Sequence, residues 1–377
     1  MKKCLLLVFL LFWLPADALS ETLEESVRTA VDGLDLGRLD EAVRQSGWFE
    51  GGAKEMLLAL AEGKTVLSAQ EVLKALLSQA AGVFRHSLWR MTRLLVPALL
   101  AAAAEWIHPG NGAGAKAARY AGLMMAMALL ITDLREHVAL ATQTVDRMAG
   151  WMQAIFPIMI TLLAAVGGTA SSAFYQPAVI AAAGAMTTLV HQVTMPLAVG
   201  VAVLTMVGGL SEGLRVSRMC NLLRQAANWT LGFGFTVFIG VMSVQGVSMA
   251  AVDGVSIRTA KYAINNFVPI VGGMFSDTVD TLVGCSLVVH NAVGVLGLVL
   301  LLSALIMPLV RTVLTMFLYR ACAALTEPLS DSPLSRAIGG YANVFSLLFI
   351  IQLSVGAMFL LLVAQLITAG NLTVMLR

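Results

Sequence analysis

Long apolar stretches separated by short polar ones dominate the chain from about residue 91 onwards. A helix that spans a bilayer needs about 20 mostly apolar residues, and nine stretches approach that length. They cover about 91–107, 117–132, 151–170, 173–190, 193–210, 229–250, 264–288, 289–320 and 341–368. Some are short and one is long enough for a kinked helix or a tight pair, so roughly seven to nine spans are expected. The pattern predicts an all-α fold, a polytopic transmembrane helical bundle.

The first 18 residues have three parts in a characteristic order. Lys2 and Lys3 precede a short apolar run over 5–14, and Pro15 then ends that run before the small residues of the segment Ala-Asp-Ala. This order is typical of a secretory signal peptide, which we place at 1–18. An uncleaved N-terminal anchor is the alternative. Either interpretation places the residues after about 20 outside the cytoplasm.

Residues 19–85 hold much of the charge and contain no long apolar run. Ser68 and Glu71 have the spacing of a helix capping box, and an amphipathic stretch follows them. We therefore expect a small helical extracytoplasmic region over 19–85, followed by a polytopic membrane domain over 86–377.

The composition supports a membrane protein and excludes an ordinary soluble domain. Hydrophobic residues make up 58% of the chain and charged residues 12%, with a mean hydropathy of +0.84. Soluble domains carry about 25% charged residues. The net charge of +2 gives no reason to expect nucleic acid as a partner, so the lipid bilayer is the expected surrounding. The segment 211–228 carries three arginines, which predicts a cytoplasmic loop.

Two parts of the membrane region resemble each other. Phe156-Pro157-Ile158 and Met195-Pro196-Leu197 are echoed by Val268-Pro269-Ile270 and Met307-Pro308-Leu309, and the prolines lie 39 residues apart in both pairs. This favours a duplication with repeats at 145–250 and 257–368. Internal repeats are common in transport proteins, where the site lies between the repeats. Coincidence in an apolar chain of few residue types is the alternative.

The stretch 267–281 is the most distinctive polar segment of the apolar region. Its candidate pathway or helix-break residues are Pro269, Gly272, Gly273, Ser276, Asp277 and Asp280. The proline and glycines interrupt a helix, and a helix after the break would place both acids on one face. Carboxylates at bilayer depth usually face a water-filled cavity or a partner. The alternative is an interfacial turn before a helix that starts near Leu282, where both acids would be solvated or would cap the helix.

Sequence motifs of enzymes are missing from the chain. There is no phosphate-binding GxxxxGK[ST], no HExxH and no GxSxG. The four cysteines have no CxxC spacing, so neither a disulfide framework nor a metal site is expected. We expect no catalytic residues, no metal and no cofactor, and we do not expect an enzyme.

The core of the chain resembles a known family. The residues Arg258-Thr259-Ala260-Lys261-Tyr262-Ala263, Asn266 to Asp277 and Asp280-Thr281-Leu282-Val283-Gly284 are similar to the stage III sporulation protein AE family of endospore-forming bacteria. The resemblance implies a multi-pass protein of the outer forespore membrane, made in the mother cell. It also implies partners: a separate secretion-type ATPase, ring-forming proteins between the membranes and small membrane subunits. Such a complex links mother cell and forespore and sustains late forespore gene expression. The resemblance assigns no site residues.

Several functions compete at this stage. The leading hypothesis is a membrane subunit of the sporulation channel or secretion-like complex. The alternative is a stand-alone secondary transporter of small molecules or ions, using the repeat and the pair Asp277 and Asp280. A purely structural assembly platform is a third hypothesis, and a membrane-bound enzyme a fourth.

Overall fold

The computed structural model describes residues 25–48, 51–64, 113–210, 216–267, 272–327 and 333–375, and part of the positions between 74 and 96. Residues 25–32 are helical and form α1. The other helices are α2 (Gly37–Ser46), α3 (Ala53–Ala61), α4 (Ala113–Ala165), α5 (Thr169–Leu189), α6 (Met195–Leu210), α7 (Ser217–Phe267), α8 (Gly272–Thr326) and α9 (Pro333–Met375). No strand occurs among the described residues, which confirms the all-α prediction.

Several stretches predicted as separate spans lie within one helix. Residues 133–150, expected as a polar connection, continue α4 because they contain no proline and mostly good helix formers. A π-helical segment, Val190–Thr194, joins α5 to α6 without a break. Pro196 cannot donate to the carbonyl four residues before it, which favours this wider turn. Five helical stretches of the described chain are long and apolar enough to cross a membrane: Tyr120–Ala165, Thr169–Gly209, Ser217–Ser243, Val279–Thr326 and Arg336–Met375.

The core of the bundle lies between α4, α8 and α9, with α8 antiparallel to both neighbours. Gly297 on α8 approaches Ile155 on α4, and Gly356 on α9 approaches Leu305 on α8. A Cβ at Gly297 would stand 3.1 Å from Ile155, so glycine permits this close approach. The close contacts at Gly297 and Gly356 fix the register of the three helices.

The short N-terminal helices pack on the long ones and share their apolar core. Leu39 of α2 and Leu57 of α3 are fully buried in the same cluster as the side chains of α4 and α8. Asp40 on α2 accepts the backbone N–H of Ala53 at 2.8 Å and so caps the start of α3. The capping box at Ser68 and Glu71 and the predicted signal peptide lie outside the described residues.

One end of the bundle is formed by the turn between α4 and α5. Gly167 adopts φ +103° in this turn, a conformation that suits glycine. Asp253 of α7 is buried there and accepts the backbone N–H groups of Ala170 (2.8 Å) and Ser171 (3.0 Å) at the start of α5. Residues 254–267 of α7 continue past this point by about 20 Å at the rise of an α-helix. The C-terminal end of α7 therefore projects beyond the α4–α5 turn.

The opposite end of the bundle is rich in basic residues. Antiparallel packing brings the start of α4, the loop between α6 and α7, and the loop between α8 and α9 to this end. The arginines of its described part include Arg218, Arg320 and Arg336.

The duplication stays a prediction. Pro196 and Pro308 each lie in a helix, about four and five turns before its end. Pro157 lies within α4, whereas Pro269 lies outside the described residues. The α4–α5 turn has no counterpart inside α8, which is continuous.

Candidate functional site: a charged cluster between helices

The predicted polar stretch 267–281 runs from the end of α7 into the first turns of α8. α7 ends at Phe267 and α8 begins at Gly272, with Gly273 as its second residue, and Pro269 lies outside the described residues. Ser276 and Asp277 belong to the first turns of α8, but their side chains are outside the described part. Asp280 is exposed. The role of this segment as a pathway therefore stays a prediction.

A different set of polar side chains meets inside the bundle. α4 contributes Asp133, Glu136 and His137, which share one face because they are three and four residues apart. α8 contributes Arg311, Thr315 and Tyr319, each one helical turn from the next. Arg90 from the helical residues 87–90 and Gln352 from α9 complete the set. We call these eight residues the charged cluster.

Four of its members are ionic and balance one another. Arg90 pairs with Glu136 (2.6 Å) and with Asp133 (3.4 Å), and Arg311 pairs with the same oxygen of Glu136 (3.4 Å). The hydroxyl of Tyr319 donates to Asp133 at 2.6 Å. The side chains of Arg90 and Asp133 are 18% and 16% exposed, against 38% and 45% for Arg311 and Glu136. The cluster therefore has a shielded side and an open edge, the latter formed by Glu136 and Arg311.

The neutral members extend the cluster into the core. One ring nitrogen of His137 lies 2.8 Å from the carbonyl oxygen of Asp133, which only an Nδ1–H donor can satisfy. Nε2 then accepts from the Thr315 hydroxyl at 3.0 Å. Deeper still, the Gln352 side-chain amide donates to the hydroxyl of Thr312 at 3.2 Å, and that hydroxyl donates to the carbonyl of Pro308. Gln352 is fully buried, and its Oε1 has no partner among the described residues.

A small cavity lies between the shielded members. Ser87, Arg90, Asp133, Thr315, Tyr319 and Cys322 line it together with Leu318. Its volume of about 10 Å³ is enough for about one water molecule with several polar partners. The polar groups around this cavity are those of the shielded side of the cluster, Arg90, Asp133 and Tyr319. No group of three or more His, Cys, Asp or Glu side chains able to hold a metal occurs in the described part of the chain.

The sequence contained a signal for this cluster, but its meaning depended on the course of α4. Asp133, Glu136 and His137 follow directly after the apolar stretch 117–132, and the sequence pattern did not show that they continue the same helix. Arg311, inside the apolar stretch 289–320, pairs with Glu136. His290, another isolated polar residue of the sequence, is fully buried between α8 and α9, where Gly370 packs against its ring.

The long apolar helices and the ionic cluster between them define a polytopic α-helical membrane protein with charged groups inside its helix bundle. The family model described as "Stage III sporulation protein AE" matches residues 52–370. The chain is also similar to the Stage III sporulation protein AE of Bacillus subtilis (strain 168), with 35% identity over 254 residues. That match covers 67% of this chain and 64% of the relative, so it spans just under two thirds of the relative's length. No solved structure matches the chain.

This chain belongs to the stage III sporulation protein AE family. The resemblance inferred from residues 258–284 is therefore confirmed, and it extends far beyond that segment. Membership implies a role in sporulation.

Proposed function

We propose that the chain is a membrane subunit of a channel or secretion-like complex that links mother cell and forespore and is required for late forespore gene expression. The family supports the setting in sporulation, and the apolar helices support a multi-pass protein. In this proposal the protein lies in the outer forespore membrane. Its partners are a separate ATPase and ring-forming membrane proteins.

The charged cluster is the observation that carries the proposal. Charges within membrane helices are costly, and they usually face a water-filled cavity or pair with one another. Here the shielded charges Arg90 and Asp133 are paired, while Glu136 and Arg311 remain partly exposed. We infer that this open edge lines a conduit formed with neighbouring subunits. Behind it, Asp133 joins α4 to Tyr319 of α8 by a hydrogen bond and to Arg90 by an ion pair.

The distribution of charge suggests the orientation. Basic loops favour the cytoplasmic side, so the end with Arg218, Arg320 and Arg336 would face the mother-cell cytoplasm and the ATPase. The α4–α5 turn, the C-terminal end of α7 and the predicted extracytoplasmic region 19–85 would then face the space between the two membranes. Ring-forming partners would meet the protein there. The family-like stretch 267–281 lies on that side, which supports a role in assembly or as an entrance.

Neutralising the open edge tests the proposal. Glu136→Gln keeps size and hydrogen bonding but removes the charge. Because the Glu136 side chain is 45% exposed, removing its charge should lower the free energy of unfolding by no more than about 1 kcal/mol. Membrane abundance and recovery of the complex should therefore stay near normal, whereas a reporter of late forespore transcription should fall several-fold. Arg135→Gln, at an exposed position beside it on α4, is the matched control and should leave the reporter unchanged.

Two results would contradict this proposal. A normal reporter with normal abundance would show that the charge of Glu136 is dispensable. A fall in the membrane abundance of the Glu136→Gln variant would show that the open edge stabilises the protein instead.

A stand-alone transporter is the second candidate, and the same cluster favours it. Buried polar groups one turn from a proline inside a membrane helix, here Gln352 and Thr312 near Pro308 of α8, resemble the sites of coupled transporters. The two functions differ in what the chain does alone. Reconstituted in vesicles without other subunits, a transporter would move an ion or solute down an imposed gradient, while a complex subunit would not.

A further inference from the structure

Two open grooves meet on one side of the bundle. The first lies between α2 and α4, where Arg38, Glu41 and Gln45 face the segment Asp146–Ala154. The second lies along the π-helical segment and α6. Their volumes are about 750 and 740 Å³, within the range of about 300–1,000 Å³ that small-molecule sites occupy.

The two grooves adjoin where a histidine and an aspartate form a hydrogen bond. His191 lines the α6 groove, and its Nε2 lies 2.8 Å from Oδ1 of Asp146, which lines the α2–α4 groove. Thr142, one turn before Asp146 on α4, also lines the α6 groove. His191 belongs to the π-helical segment Val190–Thr194, a local distortion of the kind that often marks functional sites.

The α2–α4 groove is suited to an anion. Arg38 and Arg147 line it, are exposed, and form no ion pair with other described residues. The acids that line the same groove have other partners, because Glu41 lies 3.8 Å from Arg44 and accepts from Gln45, and Asp146 is hydrogen-bonded to His191. Trp151 is 5% exposed and also lines the groove, and its indole N–H has no hydrogen-bond partner in the described part. Unpaired guanidinium groups recognise phosphate oxygens well.

The α6 groove is suited to a hydrocarbon chain. Its lining includes Val199, Gly200, Val203 and Leu204 of α6 and Leu223 of α7. Val199 and Val203 are 36% and 49% exposed, so their apolar surface lacks a partner within the described chain. The stretch 195–204 rises about 14 Å, close to half of the roughly 30 Å hydrocarbon core of a bilayer.

We propose that one glycerophospholipid occupies both grooves. Its phosphate lies between Arg38 and Arg147, and one acyl chain runs along α6. The N-terminal helices determine which way the lipid is oriented. The charged side chains of α2 cannot enter hydrocarbon, so they mark the level of the lipid headgroup. The His191–Asp146 pair stands at the boundary between the polar and apolar halves. The bound lipid would join the N-terminal helices to the bundle.

The experiment uses the full-length protein, purified in mild detergent and examined by native mass spectrometry. Phosphatidylglycerol and phosphatidylethanolamine are the probes, with inorganic phosphate as a competitor. The wild type should retain one phospholipid per chain. Arg38→Gln combined with Arg147→Gln should lower the retained fraction at least tenfold. Arg44→Gln is the matched control, because Arg44 is exposed on the same helix but pairs with Asp40 at 2.9 Å.

A second variant tests the acyl groove separately. Gly200→Leu fills that groove without touching the arginines, and it should also release the lipid. Unchanged melting temperatures of both variants would show that the fold is intact. Equal lipid retention in the double-arginine variant and the wild type would overturn the proposal, as would competition by inorganic phosphate alone with no effect of Gly200→Leu.

Discussion

The hydrogen bond between Asp133 and Tyr319 gives the sharpest test of the charged cluster. It joins α4 to α8 across 186 positions of sequence, at 2.6 Å, and Tyr319 is only 5% exposed. Asp133→Ala removes the acceptor and leaves a buried hydroxyl without a partner. Tyr319→Phe removes the donor, but Asp133 keeps its contact with Arg90. The two single substitutions should therefore have unequal costs.

The expected losses in the free energy of unfolding follow from the burial of Asp133 and Tyr319. An orphaned buried hydroxyl costs about 1–3 kcal/mol. Loss of the 3.4 Å contact with Arg90 adds up to about 1 kcal/mol. Asp133→Ala should therefore lower the free energy of unfolding by about 2–4 kcal/mol in total. Tyr319→Phe should cost about 1 kcal/mol. The double variant has no orphaned hydroxyl, so it should be more stable than the sum of the single effects predicts, by about 1–2 kcal/mol.

The assay is thermal unfolding of the detergent-solubilised protein, followed by loss of the monodisperse peak in gel filtration. A change of 1 kcal/mol should shift the midpoint by about 1.3 °C in a chain of 377 residues. Arg135→Ala, at an exposed position on α4, serves as the control and should shift it by less than about 0.6 °C, since surface changes usually stay within about 0.5 kcal/mol. If the effects of the two single substitutions add without coupling, the bond between α4 and α8 does not exist as described.

Three further predictions address topology, packing and the predicted polar stretch. With Cys220 as the only cysteine, a membrane-impermeant thiol reagent should label the protein only after permeabilisation; labelling in intact cells would reverse the proposed orientation. Gly294→Ala should destabilise by about 1–3 kcal/mol, since its Cβ would overlap Cγ1 and Cδ1 of Ile367, and Ile367→Ala, which removes both atoms, should make the added cost of Gly294→Ala smaller in thermal unfolding. Asp277→Asn with Asp280→Asn should keep membrane abundance and lower the forespore reporter; a normal reporter would exclude a pathway role for the two acids.

The sequence predicted the helical class and most of the apolar segments, because hydrophobic stretches are a local property. It failed where distant segments meet. Asp133 and Tyr319 are ordinary polar residues in their own neighbourhoods, and only the antiparallel register of α4 and α8 brings them together. Arg90, which completes the ion pairs, lies at the edge of a predicted span, where a charged residue usually marks an end.

The positions of the helix ends were also only partly predictable from the sequence. Proline and glycine around 268–273 predicted a break; the described parts of α7 and α8 stop at Phe267 and start at Gly272, and the break between them stays a prediction. The polar residues 133–150 also suggested a break, yet polar character alone does not end a helix that lacks proline and is held by tertiary contacts. Asp253 was not selected as a capping residue, because its partners Ala170 and Ser171 lie on another helix.

The packing of α2 and α3 on α4 and α8 has a consequence for biosynthesis. Leu57 is made early, but α8 begins only at Gly272, more than 200 residues later. At a synthesis rate of about 5–20 residues per second, the N-terminal helices must wait roughly 10–40 s for that partner. During this interval their apolar faces are uncovered, and a chaperone or the membrane surface has to shield them. Substitutions in α8 that slow its insertion should therefore expose the N-terminal region to proteolysis in the newly made chain, long before the finished bundle loses stability.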